Sequence, residues 1–179
     1  MLSTFTIRRR SEAGFSLLEM MLATVILLVG LVAIAQLVPA TILLNFRNRT
    51  DSSALVFAQR ELDQFLDQPL FLTSFTDAIG NTCALGSATP VNTVQGSSLA
   101  VINNQVVIDF TKVLVPNYSF AIPYQDPSDP SGTSYDVRWA VIVTGNGSTI
   151  SSKRFILGIR QQGGNGYFQP ITLDTTVEK

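Results

Sequence analysis

The chain has 179 residues, 46% of them apolar and only 14% charged, and 12 Lys and Arg stand against 13 Asp and Glu for a net charge of −1. That composition excludes a disordered chain, and the near-neutral balance leaves no electrostatic footprint for duplex DNA. There is no histidine and a single cysteine, Cys83, which removes the usual catalytic triads, most zinc sites and any internal disulfide.

In chain order, the first feature is the basic cluster Arg8-Arg9-Arg10, and residues 20–46 then form an uncharged run of 27. As a helix this run spans roughly 40 Å, more than the ~30 Å hydrocarbon core of a bilayer. Fifteen of the 27 are Leu, Ile, Val or Phe. On the insertion scale they contribute roughly −4 to −9 kcal/mol, against at most about 3 kcal/mol for Glu19 at the edge of the run. The segment is therefore expected to enter a membrane. Arg8, Arg9 and Arg10 stand before it and Arg47 and Arg49 after it. That weak bias favours a cytoplasmic N-terminus and puts the bulk of the chain outside. Three readings compete: a secretory signal peptide with Ala33-Ile34-Ala35 as its cleavage site, a plain membrane anchor, and a third set by the boundary sequence. Against the first stand the length of the run and the acidic residue at its start.

The boundary reads Gly14-Phe15-Ser16-Leu17-Leu18-Glu19-Met20. Here the chain resembles the type IV prepilin family, which includes pilins and the pseudopilins of type II secretion. Members carry a short basic leader ending in Gly. A Phe usually follows, a Glu lies at the fifth position after the cut, and an apolar helix continues from there. Gly14, Phe15 and Glu19 match these landmarks, after a short basic leader at residues 1–14. The resemblance implies that a membrane aspartyl protease, the prepilin peptidase, cleaves between Gly14 and Phe15 and methylates the new amine of Phe15. It also gives Glu19 a role. A carboxylate in apolar surroundings is costly unless paired, and the amine of Phe15 in a neighbouring subunit is a suitable partner that sets the axial register of packed helices. Without the Gly-Phe boundary, Glu19 reads as a side chain snorkelling to the headgroups. One departure stands out. Pilins often have a helix-bending Pro at the twenty-second position after the cut, where this chain has Gln36, with Pro39 three residues later. A kink is expected near Pro39.

Further on, Ala54, Leu55, Ala58, Leu62, Phe65 and Leu66 recur at helical spacing, with Arg60, Glu61, Asp63, Gln64 and Asp67 filling the other face. Pro69 marks the end. A helix from Phe15 to about Gln68 is roughly 80 Å long, and a spine half in lipid and half laid on a head is the architecture the resemblance implies. Residues 70–98 read as a loop region with a short helix near 75–79, and Cys83 within it reads as a buried structural thiol. Strands are expected at 99–103 and 105–111 as a tight hairpin about Asn104, at 118–122, at 135–144 and 152–161 as a second hairpin through 145–148, and at 167–173 after the Gly-rich turn 163–166. Tyr135, Val137, Trp139, Val141 and Val143 alternate with Asp136, Arg138, Ala140, Ile142 and Thr144, and Phe155, Leu157 and Ile159 with Arg154, Ile156, Gly158 and Arg160. Their shared apolar face needs a cover, which the amphipathic half of the long helix supplies. The Tyr135-x-Val137-x-Trp139 strand and its successor also resemble minor pilins rather than major ones. The expected fold is α+β and pilin-like, a long N-terminal helix packed on an antiparallel β-sheet head. Its segments are a cleaved leader at 1–14, an apolar transmembrane and assembly helix at 15–46, an amphipathic continuation at 47–69, and a β-rich head at 70–179.

Signatures of chemistry are poor. No Gly-x-Ser-x-Gly elbow occurs, and the glycines of 163–166 lack the Lys of a phosphate loop. Asp126 and Asp129, with Asp136 nearby, are weak candidates for calcium, a metal known in the head of some pseudopilins. EF-hand spacing is absent, and Pro127 and Pro130 account for a solvated turn without an ion. Arg138, Arg154 and Arg160 are expected to share the outward face of the sheet, solvated. No cofactor and no enzymatic activity are expected. The partners implied are the prepilin peptidase, other pilins or pseudopilins, the inner-membrane assembly platform and membrane lipid, with no clear nucleic-acid binding. The expected function is that of a minor pilin, incorporated in a type IV pilus or priming it. It starts as a single-pass bacterial inner-membrane protein with a cytoplasmic N-terminus and a periplasmic head. The alternatives are a minor pseudopilin of type II secretion and, in another class, a membrane-anchored or exported binding module.

Overall fold

The computed structural model describes residues 14–126, 129–146, 149–162 and 169–178. Its first element is a single helix, α1, Leu17–Leu66. The chain divides into two compact units, Met1–Asn45 and Phe46–Lys179.

In the first unit, the stretch Leu17–Asn45 of α1 is long and apolar enough to cross a membrane by length and composition, and none of it is buried within the fold. The helix continues through Pro39. The hydroxyls of Thr24 and Thr41 donate back to the carbonyls of Met21 and Val38, each at 2.8 Å, so neither needs a partner from outside.

The second unit holds the end of α1 and the strands. In chain order these are β1 (Ser74–Thr76), β2 (Thr82–Ala84), β3 (Thr93–Gly96), β4 (Leu99–Ile102), β5 (Gln105–Ile108), β6 (Ser119–Asp126), β7 (Asp129–Asn146), β8 (Thr149–Gln162) and β9 (Ile171–Glu178). The principal sheet is antiparallel, in the order β3-β7-β8-β9, with β6 also on β7. β6 and β3 share one edge of β7: Ser119 is opposite Arg138, and Gly96 is opposite Ala140. The two strands meet at Gly96, whose φ is 101° and where a Cβ would fall 2.8 Å from the Trp139 carbonyl. Only glycine fits that conformation and that gap.

Alternation decides the core. Tyr135, Val137, Trp139, Val141 and Val143 of β7 join Phe155, Leu157 and Ile159 of β8, and Ala54, Ala58, Leu62 and Phe65 of α1 lie on them. The Phe65 ring packs 5.1 Å from Trp139 and 5.6 Å from Phe155. Trp139 Nε1 donates to the Ala84 carbonyl at 2.8 Å, which pins β2 to the sheet. α1 ends where Gln68 donates its side-chain amide to the Gln64 carbonyl at 3.2 Å and Pro69 cannot extend the ladder.

Four expectations need correction. First, residues 75–79 form no short helix: Phe75 lies in β1 opposite Cys83 of β2. The Asp77 carboxylate accepts the N–H groups of Ile79 and Asn81 at 2.9 and 2.7 Å, a side-chain-to-backbone turn that competes with helix. Second, the strands expected at 118–122 and 135–144 are longer, reaching Asp126 and starting at Asp129, and these two residues are cross-strand partners at the end of a hairpin. Residues 127–128 between them lie outside the described residues. Third, the last strand begins at Ile171 and reaches Glu178, a choice set by pairing Ile159 with Ile171 and Leu157 with Leu173. Tyr167 and the turn 163–166 lie outside the described residues, as do 147 and 148. Fourth, the outward face of the sheet is not bare. The β4–β5 hairpin turns through Asn103 and Asn104, both at positive φ, the two-residue turn that matches strand twist. It lays Ile108 and the following Phe110 on Ala140 and Ile156.

Candidate processing and assembly site

The site read from the sequence lies where the chain enters α1. Gly14, Phe15 and Ser16 are non-helical, and α1 begins at Leu17. The Ser16 carbonyl accepts the N–H groups of Glu19 at 3.0 Å and Met20 at 3.1 Å, which makes Ser16 the residue at the helix cap. Ser16-x-x-Glu19 is the capping-box pattern, and Glu19 stands in the first turn, where the helix dipole favours an anion. Phe15 is 77% exposed, and Glu19 is exposed as well. Among the described residues no cation pairs with Glu19. A Cβ built on Gly14 would meet nothing within 4 Å. Among the described residues, then, no contact requires glycine there.

The outward arginines have a different fate. Arg138 is 5% exposed. Its guanidinium donates to both oxygens of Asp136 at 2.9–3.1 Å and to the Lys112 carbonyl at 2.8 Å. Arg160 and Gln162 reach the same carboxylate at 3.3 and 3.1 Å. Both guanidiniums stack on the Phe110 ring, 5.1 and 4.8 Å from its centre. Arg154 pairs with Asp174. Arg138 and Arg160 hold the Phe110 segment to the sheet, and Asp136 has its oxygens committed to them, whereas Arg154 stays exposed on the β8–β9 pair. Among the described residues no group of three His, Cys, Asp or Glu is gathered for a metal.

Cys83 is fully buried. Burial, with Asp77 and Glu61 nearby, pushes its thiol up to about 12. It stays protonated at any physiological pH and is no nucleophile.

Beside Asp136, Arg138 and Asp77, two further buried charges escaped the sequence reading. Glu61 was placed on the polar face of α1 but has no exposure at all. Burial raises its carboxyl above the ordinary 4.5, opposed by Arg60 at 2.8 Å. Its position was legible, three residues after Ala58 and four before Phe65, on the apolar stripe. Lys153 is 2% exposed. Burial brings its ammonium down to about 8, and Nζ donates to the Leu72 carbonyl at 2.6 Å. Its parity with Phe155, Leu157 and Ile159 was the available signal.

The family model of the prokaryotic N-terminal methylation motif matches residues 9–35, a span that includes Gly14, Phe15 and Glu19. No curated protein and no solved structure matches the chain. An N-terminal processing motif running into an exposed apolar helix fits membrane anchoring, and it points to a structural rather than a catalytic class. More particularly, the chain carries the type IV prepilin signature, which supports a type IV pilin-like or pseudopilin protein. That signature implies processing by the prepilin peptidase and assembly with other pilins.

Proposed function

We propose that this chain is a minor pilin, a non-catalytic subunit that enters or primes a type IV pilus. The observation that carries this reading is the methylation-motif match over residues 9–35, the span that holds Gly14, Phe15 and Glu19, running into an apolar helix whose span Leu17–Asn45 is exposed. The precursor sits in the bacterial inner membrane with its N-terminus in the cytoplasm and its head in the periplasm. The peptidase hydrolyses the Gly14–Phe15 bond and methylates the Phe15 amine. Glycine at 14, which no contact of the fold demands, suits a residue read by another molecule. The ammonium of Phe15 in one subunit then pairs with Glu19 of its neighbour, and the exposed helix exchanges lipid for other helices. Both surroundings are apolar, so packing and polar contacts rather than hydrophobicity decide the exchange.

The test is the intact mass and N-terminus of the protein from membranes of cells with and without the peptidase. N-methylated Phe15 as the first residue, only when the peptidase is present, supports the reading. An uncut chain, or one beginning near Gln36, in both strains would sink it. A deletion strain that keeps its pili but loses secretion of folded enzymes would assign the chain to a type II pseudopilus instead.

A further inference from the structure

Three uncharged polar side chains, Thr24, Gln36 and Thr41, interrupt α1 between Glu19 and Asn45. The two threonines satisfy their hydroxyls inside the helix. Gln36 is exposed and makes no side-chain hydrogen bond among the described residues. Pro39 lies three residues on, within the helix. Its missing N–H leaves the Ala35 carbonyl without a helical donor. An amide and a carbonyl, adjacent in sequence, are thus left unpaired inside a stretch that can cross a bilayer. Water would satisfy them; hydrocarbon cannot.

We infer that Gln36 is the contact through which two copies of this chain associate side by side in the bilayer, ahead of any filament. The inference rests on the membrane-anchoring reading of α1. The occupant is a second copy for two reasons. A single span inserted in one orientation puts Gln36 of every copy at the same depth, so parallel copies meet residue to residue. The glutamine amide both donates and accepts, so two of them close a reciprocal pair, with the Ala35 carbonyl as a further acceptor. The neighbours allow it: Ala33 and Ala40 flank Gln36 three residues before and four after, and Val29 and Leu43 lie seven residues to either side. A single polar residue inside such a seam fixes register.

The test is energy transfer between copies of the full chain in phosphatidylcholine vesicles, labelled through Asp51→Cys, an exposed position beyond the span. The buried Cys83 does not compete for label. Concentration-dependent transfer is expected, with Gln36→Leu weakening association about 3- to 20-fold, the range of interhelical hydrogen bonds in bilayers. Gln36→Asn should restore most of it, and Thr41→Val should change nothing. Both the parent and Gln36→Leu are expected to stay in the vesicles at alkaline pH. Retention with equal transfer in the parent and in Gln36→Leu, or with no transfer between copies, overturns the inference alone. Release of the parent chain at alkaline pH overturns the membrane reading beneath it.

Discussion

Lys153 reaches the core from β8 and Glu61 from α1, and each makes the head's stability depend on pH in its own sense. The folded Lys153 titrates at about 8 instead of the ordinary 10.5. Between those values the unfolded chain holds the extra proton, so stability rises with pH across that window and the full cost is felt below it. Lys153→Met should remove this slope and gain about 1–3 kcal/mol at pH 7. Equilibrium unfolding at pH 7 and 10, followed through the single tryptophan Trp139, measures both. Glu61 runs the other way. Its folded carboxyl is raised above 4.5 by burial, so the folded state holds the extra proton and stability falls as pH rises through the folded value. Glu61→Gln should be more stable than the parent at pH 7, by about 1 kcal/mol, with no gain at pH 4. Equal unfolding midpoints at pH 7 would show that Arg60 already offsets the burial.

At the scale of the element, the β4–β5 hairpin is what turns a one-faced sheet into a two-faced one. Its fit depends on Gly158, where a Cβ would stand 2.8 Å from Ile108 and 3.0 Å from Phe110. Gly158→Ala is expected to lift the hairpin and lower stability by about 1–3 kcal/mol, the usual cost of overpacking, read as a loss of amide protection in β4 and β5. Asp136→Ala should cost more, about 3–5 kcal/mol, because it strands Arg138 in the core without its anion. The strands beneath were legible in the sequence, since alternation along β7 and β8 needs no knowledge of partners. The tight hairpin about Asn104 was legible too, although its turn takes in Asn103 as well. What covers the second face was not. Asp136 and Arg138 look like solvent-facing residues until Arg160 is known to lie opposite Asp136, and that depends on the register of two strands. A hairpin of four-residue strands carries no signal of where it docks. The proposed processing site stands at the other extreme: Gly14, Phe15 and Glu19 fall within one six-residue string, readable without any fold.

For the whole molecule, the same contiguity implies that processing, assembly and head stability respond to different substitutions. Among the described residues an added Cβ at Gly14 would meet nothing within 4 Å, so Gly14→Val should leave the unfolding midpoint of the head unchanged. It should also leave the leader attached, because a side chain then stands where the peptidase meets none. Glu19 has a different part. It follows the proposed cleavage point by five residues and lies in the first turn of α1, and its removal deletes a charge that opposes insertion by up to about 3 kcal/mol. Glu19→Ala should therefore enter the membrane at least as well as the parent and still be cut after Gly14. Its incorporation into filaments should drop about 10- to 100-fold, the equivalent of a charge-assisted hydrogen bond worth ~1.5–3 kcal/mol. Mass spectrometry of membrane and sheared-filament fractions separates the two variants. An uncut Glu19→Ala chain would move the role of Glu19 from assembly to recognition by the peptidase. A cut chain incorporated like the parent would remove the pairing with Phe15 from the account altogether.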